Sequence, residues 1–215
     1  MLNMNFSVPV LLNAGQLDWV PSPMPGVDRK PLAREDMERG HATSIVRYAP
    51  GSIFRPHPHP LGEEILVLSG EFCDEAGCFP QGTYFRNPPG SSHAPFSPKG
   101  CILFVKLHQF QPLDTQQVVS KAQAFHELPL RHYVALHEYE TERVGFIRLD
   151  VGDERAFKSS LPIDDGAVEL LVVSGSVRYG EHSYPSLSWL RLPVLDWHTF
   201  SISEQSILWV KQGHF

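Results

Sequence analysis

The chain has 215 residues, a formal charge of −6, 42% hydrophobic residues and 11% aromatic residues, so it can bury one large core or two small ones. Its acidic balance argues against direct nucleic-acid binding, which needs a basic surface. We see no apolar run near the roughly 20 residues of a membrane span. The N-terminus lacks the basic and apolar regions of a signal peptide, so we expect a cytoplasmic protein.

Residues 1–41 differ in composition from the rest of the chain. FSVPVLL, residues 6–12, is a candidate strand that could pair with a later strand or serve a homodimer interface. The proline-rich stretch that follows predicts a connector, with a short helix around LAREDMER, residues 32–39. We therefore treat 1–41 as an N-terminal strand and connector.

From residue 42 onward, segments rich in β-branched and aromatic residues alternate with turn signals. TSIVRYA, EEILVLSGEF, GTYFRN and GCILFVKLHQF are separated by turn sequences that include PPG and PKG. This composition predicts many short strands. Cys73 and Cys78 flank the turn DEAG and could face each other. A cytoplasmic location favours reduced thiols, and a Cys73–Cys78 disulfide is the alternative.

The same order of segments then restarts. VGFIRLDVG, residues 144–152, echoes TSIVRYAPG, residues 43–51, and the halves align without a gap after Gly70 and Gly175. Register kept over such a length indicates a tandem duplication. We predict an all-β fold of two jelly-roll barrels, with 42–111 as the first, 112–142 as a linker and the start of the second, and 143–215 as the second.

The first repeat contains four residues suited to binding a metal. They are His57, His59, Glu63 and His93. His57 and His59 lie two apart on an extended segment and face one side. Glu63 and His93 each follow a turn that can bring them back to the same place. Three imidazoles and a carboxylate suit one divalent transition metal, zinc or iron first and manganese or nickel next.

These residues resemble the two signatures of the cupin superfamily. The first, G-x5-H-x-H-x3-E-x6-G, is met by Gly51, His57, His59, Glu63 and Gly70. The second is met by Gly82, Pro88, Gly90 and His93, with Ser97 in place of its final Asn. The resemblance implies tandem double-stranded β-helix barrels, a bicupin, and a metal held by the four residues above. Glu64 is the rival to Glu63, and the spacing favours Glu63.

The second repeat lacks most of these ligands. Lys158 and Ser160 stand where the two histidines would be, and Val168 replaces Glu63, while His198 aligns with His93. We therefore predict a second barrel without a metal. Arg86 and Tyr84 have aligned counterparts and are interpreted as packing residues, with lining of the cavity as the alternative. The scattered histidines, such as His108, are interpreted as surface residues.

Within the superfamily, RNPPGSSHAPFSPKGC is similar to the ChrR-type cupins, which include the anti-sigma factor ChrR and resemble acetylacetone-cleaving dioxygenases. ChrR has an N-terminal helical zinc domain, whereas residues 1–41 contain no Cys and a single His. The resemblance implies a metal-binding sensor or regulatory module without that domain. The alternative is a non-haem iron dioxygenase that cleaves a small diketone-like substrate. In both cases a small molecule would occupy the first barrel.

Overall fold

The computed structural model describes residues 1–36, 40–163 and 166–215, and it is dominated by strands. The strands are β1 Val10–Asn13, β2 Val20–Pro21, β3 Val27–Arg34, β4 Ala42–Tyr48, β5 Ser52–Ile53, β6 His57–His59, β7 Glu63–Asp74, β8 Gly77–Pro80, β9 Tyr84–Asn87, β10 Ser91–His93, β11 Phe96–Ser97, β12 Cys101–Leu107, β13 Val118–Val119, β14 Tyr133–Tyr139, β15 Glu142–Leu149, β16 Val168–Ser174, β17 Ser176–Tyr179, β18 His182–Pro185, β19 Ser188–Leu192, β20 Phe200–Ile202 and β21 Ser206–Gln212. Helical segments are α1 Glu154–Ser160 and the 3-10 turns Ala14–Gln16 and Phe125–Glu127. The predicted all-β class is confirmed.

The described residues divide into two compact units. The first contains Met1–Met4 and Leu17–Ala124, and the second contains Asn5–Gln16 and Phe125–Phe215. The larger sheet of the first unit has the order β13-β9-β7-β12-β4-β3-β2, and that of the second has the order β1-β19-β16-β21-β15-β14. In these two orders, the first six strands of the first sheet match the six strands of the second in turn, beginning with β13 and β1 and ending with β3 and β14. This shared order is consistent with a tandem pair of cupin barrels.

Each unit has its own apolar core, built from inward-facing side chains of its strands. In the first unit the cluster includes Val67, Phe72, Phe85 and Leu103. In the second it includes Val168, which follows the strand alternation into the barrel. Burial of these side chains supplies the main favourable term for folding each unit.

Residues 1–36 contain more secondary structure than the predicted connector, namely β1, the first 3-10 turn, β2 and β3. The candidate strand is β1, which pairs with β19 of the second unit. The predicted short helix is wrong over residues 32–34, because β3 continues through them and pairs with β4, with a bulge between Pro31 and Ala33. Leu32 and Ala33 are fully buried, so tertiary pairing overrides local helix propensity. Residues 37–39 lie outside the described part of the chain.

Cys73 and Cys78 form a disulfide, which corrects the expectation of reduced thiols. The two residues are directly opposite in the β7–β8 hairpin, with their Cα atoms 4.1 Å apart. Cross-strand neighbours at this distance are close enough for their sulfurs to bond. Cys101 is a buried free thiol.

Among the described residues, no helix is long and apolar enough to cross a membrane.

Candidate metal site and adjoining cavity

The four predicted ligand residues come together inside the first unit. Strands β6 and β10 are antiparallel, with His93 directly opposite His57. His57 and His59 project from the same face of β6, and the three imidazole ring centres lie 4.6 to 5.0 Å apart. Glu63 completes the group, and one donor atom from each of the four residues lies within 4.8 Å of all the others.

Glu63 faces the histidines because it begins β7 in register with Asn87 of β9. Its Oε2 atom accepts a hydrogen bond from Nδ2 of Asn87 at 3.2 Å. Glu64, one residue further, instead forms an ion pair with the buried Arg86 at 3.0 Å. Arg86 also binds Asp114 at 2.8 Å. Strand alternation therefore separates the two glutamates, and the packing interpretation of Arg86 is confirmed.

Each histidine is oriented by a partner at Nδ1. His57 donates to the backbone carbonyl of Arg55 at 3.0 Å, and His93 donates to Asp74 Oδ2 at 3.3 Å. His59 Nδ1 shares a hydrogen bond of 3.1 Å with Ser91 Oγ. With Nδ1 so engaged, the Nε2 atoms of His59 and His93 lie 3.2 and 3.4 Å from Glu63 Oε2. Such outer partners orient metal-binding imidazoles in known sites.

Burial determines the protonation states of the four predicted ligand residues. His59 is 2% exposed and Glu63 is 5% exposed. Burial, reinforced by His93 and His57, lowers the pKa of His59 to about 3. Burial also lowers the pKa values of His57 and His93. It raises the pKa of Glu63 to about 7, partly offset by the Asn87 hydrogen bond. The imidazoles are therefore neutral at pH 7, which is the form that binds metals.

The donor set fits a divalent cation. His93 donates from Nδ1 to Asp74, so its Nε2 is an acceptor that faces an acceptor oxygen of Glu63. Two facing acceptors need a proton or a cation between them. The buried Nε2 atom of His59 lies 3.2 Å from Glu63 Oε2 but makes no hydrogen bond to any described residue, which is costly unless a ligand satisfies it. A transition metal would bind the facing acceptor atoms of His93 and Glu63 and would also satisfy Nε2 of His59.

The same side chains form one wall of a cavity of about 490 Å³ within the first unit. Its other walls are mainly apolar, and they include Phe54, Phe72, Ile65, Leu103 and Val105. Among the lining residues that carry polar side chains are Arg29, Arg34, Tyr48 and His108. A mostly apolar pocket with a few polar groups, at this volume, is typical of small-molecule sites.

Sequence reasoning missed several of these positions. His108 lines the cavity, and His137 and the side chain of His214 are buried, so the surface interpretation is wrong for all three. Asp74 gave no signal, because nothing in a single sequence links it to His93. Arg29 and Arg34 lay in a stretch interpreted as a connector, and only recognition of β3 as a strand could have found them.

The second unit differs at each aligned position. Lys158 and Ser160 lie in α1, where the first unit has β6. Val168 is fully buried in the apolar core. His198 is exposed. Among the described residues of this unit, no group of three or more ligand-type side chains comes together.

Two kinds of comparison relate the chain to known proteins. Residues 7–111 match the family described as the ChrR Cupin-like domain. No curated protein sequence matches the chain. The solved structures it resembles include a putative dioxygenase from Nostoc punctiforme, with 12% identity and a TM-score of 0.68 over 97% of this chain and 83% of that one.

A second similar structure is the bacterial pirin YhhW in complex with nickel(II) from Escherichia coli. It is 13% identical, with a TM-score of 0.67 over 95% of this chain and 98% of that one. A chain in the complex of Rhodobacter sphaeroides SigE with the anti-sigma ChrR is 22% identical, with a TM-score of 0.37 over 43% of this chain and 50% of that one. At identities this low, the first two structures show the fold alone, and the likeness to the third is too slight to show even that. The predicted resemblance is confirmed, because residues 7–111 match the ChrR Cupin-like domain.

Proposed function

We propose that the first unit binds one divalent transition metal through His57, His59, Glu63 and His93 and acts on a small organic molecule in the adjoining cavity. The observation that carries this proposal is that the four side chains line the cavity of about 490 Å³. A purely structural metal needs no such space beside it. A ligand in the cavity would lie against the Nε2 edge of the imidazoles.

The reaction class that suits this site best is oxygen-dependent cleavage of a C–C bond in a small diketone-like substrate. Bound ferrous iron would supply Lewis acidity and the redox capacity for O₂ chemistry. The three neutral imidazoles would not change the positive charge of the bound cation, whereas the Glu63 carboxylate would offset part of it. Phe54, Phe72 and Leu103 would exclude water and hold the apolar part of the substrate.

The test begins with metal content, measured by elemental mass spectrometry on protein purified without a metal-affinity tag. We expect about one iron or zinc per chain, lost in His93→Ala and kept in His198→Ala, which is the matched control from the second unit. Anaerobic reconstitution with ferrous iron should then give oxygen uptake with acetylacetone. Equal metal loss in both variants would overturn the proposed site.

A sensor or regulatory module is the second candidate, favoured by one observation. Asp74, which holds His93, adjoins Cys73 of the disulfide. Cys78 is exposed, so reductants can reach the bond, and its reduction would loosen the turn that positions Asp74. Tightly held zinc without oxygen uptake, combined with faster zinc release after reduction, would favour this candidate over the enzyme.

A further inference from the structure

His108 lines the cavity but does not belong to the four-residue metal group. It directly follows β12, and its backbone N–H donates to the carbonyl of Gly62 at 3.0 Å, one residue before Glu63. Burial is the main cause of the low pKa of His59, and His108 is one of the groups near enough to contribute. His108 therefore lies near the metal site without being one of its proposed ligands.

The backbone conformation of His108 explains why its side chain reaches the cavity. Alternate residues of β12 face opposite sides of the sheet, so Val105 and Leu107 line the cavity whereas Lys106 does not. A regular continuation of the strand would send the His108 side chain to the face of Lys106. His108 instead has a φ of 59°, in the left-handed region, and it lines the cavity beside Leu107.

The second unit has a glycine at the aligned position. Gly213 follows β21 as His108 follows β12, and its φ is 73°. Glycine adopts this conformation without the steric cost that other residues meet. A Cβ atom on Gly213 would overlap the carbonyl oxygen of Thr141, so the second unit has no room for a side chain there. The first unit has room, and it carries a histidine where glycine would be less strained.

Among the described non-glycine residues with a positive φ, His108 alone lines the cavity. The others are Asn3, Leu113, Arg131, Glu140 and Leu187. Such conformations lower stability, and they cluster at functional sites. Leu113 has a φ of 69° and is 88% exposed, so it is a matched control for the backbone conformation.

The His108 ring has hydrogen-bonding capacity that the described residues do not use. Its buried Nδ1 atom makes no hydrogen bond to any of them. Burial lowers the pKa of His108, partly offset by Glu35, so the ring is mostly neutral at pH 7. A proton on Nδ1 would be a buried donor without an acceptor, which is rare. The favoured tautomer therefore carries the proton on Nε2, which can donate to a ligand.

We infer that His108 is a substrate-binding residue whose Nε2–H donates a hydrogen bond to a carbonyl oxygen of a small dicarbonyl compound in the cavity. This inference rests on the proposed function and adds a residue that recognises the substrate. The four ligand residues hold the cation, and His108 orients the substrate beside it. A dicarbonyl compound offers one oxygen to the cation and another to His108.

The experiment measures the affinity of zinc-loaded protein for acetylacetone by calorimetry, because zinc has no redox chemistry and leaves the probe intact. We expect His108→Gly to bind acetylacetone about tenfold more weakly, since one hydrogen bond is lost. His108→Gln keeps an N–H donor and should recover part of the affinity. Leu113→Gly should bind like the wild type. All four proteins should contain about one zinc per chain.

Thermal unfolding separates a binding role from a packing role. Zinc-loaded His108→Gly without acetylacetone should melt at or above the wild-type temperature, because glycine suits this backbone conformation. A histidine needed for packing would give a lower melting temperature or a variant that does not fold. Either result would overturn the inference.

Three binding results would also overturn it. They are equal acetylacetone affinities of the wild type and His108→Gly, a loss in His108→Gln as large as that in His108→Gly, and no binding by the zinc-loaded wild type. Zinc is measured in every sample, so the two proposals fail separately. Absence of metal from the wild type would refute the proposed function, whereas bound zinc with unchanged affinity in His108→Gly would refute the His108 assignment alone.

Discussion

The two units share a strand order but use the barrel interior differently. In the first, Glu63 at the start of β7 meets three histidines beside a cavity. In the second, Val168 starts the corresponding strand β16 and is fully buried among apolar side chains. Where β6 presents His57 and His59, the second unit has α1, whose Phe157 is also fully buried. The interior of the first unit contains the candidate metal site and a cavity, whereas apolar side chains fill the interior of the second.

The difference shows what the barrel needs in order to fold and what it needs in order to bind. The second unit assembles the same sheet without the ligand set, so the sheet does not depend on a metal. The first unit holds a carboxylate whose burial raises its pKa to about 7, a cost that only function or a bound cation explains. Apolar packing stabilises both units, and in the proposed function a bound metal adds to the stability of the first.

The largest effect should come from emptying the core of the second unit. Phe157→Ala removes a fully buried ring that contacts Trp197 and Phe200, and should lower the free energy of unfolding by about 3–5 kcal/mol. Phe54→Ala in the first unit should cost about 1–2 kcal/mol, because Phe54 already borders the cavity. Urea unfolding of metal-free protein measures both, and equal costs would contradict the comparison.

Metal should stabilise only the first unit. At a free metal concentration of about 100 times Kd, binding adds about 2.7 kcal/mol to the free energy of unfolding. Hydrogen exchange followed by mass spectrometry should show slower exchange in β7 and β12 and unchanged exchange in β16 and β21. His59→Ala should abolish the slowing. Protection of both units alike would show that the metal acts elsewhere.

Metal affinity in the first unit should depend on pH through Glu63. Its carboxylate must lose a proton to bind a cation, and its pKa is about 7. Affinity should therefore be nearly full at pH 8, about half of that at pH 7 and about tenfold lower at pH 6 than at pH 8. Burial lowers the pKa of His59 to about 3, so this imidazole remains neutral over this range, and burial lowers the pKa values of His57 and His93 as well. Competition with a zinc chelator measures the slope, and Glu63→Gln should flatten it.

The smallest effect should come from the disulfide. Cys73→Ser with Cys78→Ser should weaken metal binding by about three- to tenfold, because the turn that holds Asp74 against His93 loosens. Cys101→Ser is the control, since this thiol is buried and unpaired. The second unit has no counterpart of this bond, because Arg178 and Ser183 occupy the aligned positions and pair across its hairpin without a covalent link. An unchanged metal affinity would show that the disulfide does not contribute to metal binding.

The fold and the four site residues could be predicted because their signals are local and repeated. Turn sequences and strand composition recur in both halves, and the spacing of His57, His59 and Glu63 is short enough to constrain geometry. The alternation rule also separated Glu63 from Glu64 correctly. These inferences needed only strand periodicity and a motif.

The remaining features depend on long-range pairing that one sequence does not encode visibly. The strand character of residues 32–34 comes from pairing with β4, and the partner of His93 is Asp74, nineteen residues away. The disulfide was disfavoured by a general rule about compartments, whereas hairpin register put the two cysteines face to face. The cavity itself is a property of packing and has no sequence signature.

Strand β1 has a consequence for how the chain is made. Val10 pairs with Arg191, so the partner strand of β1 is synthesised about 180 residues after β1 itself. At the usual rate of roughly 5–20 residues per second, β1 remains without β19 for roughly 10 to 35 s. Most of the first unit is synthesised during this interval, before the sheet of the second unit can be completed.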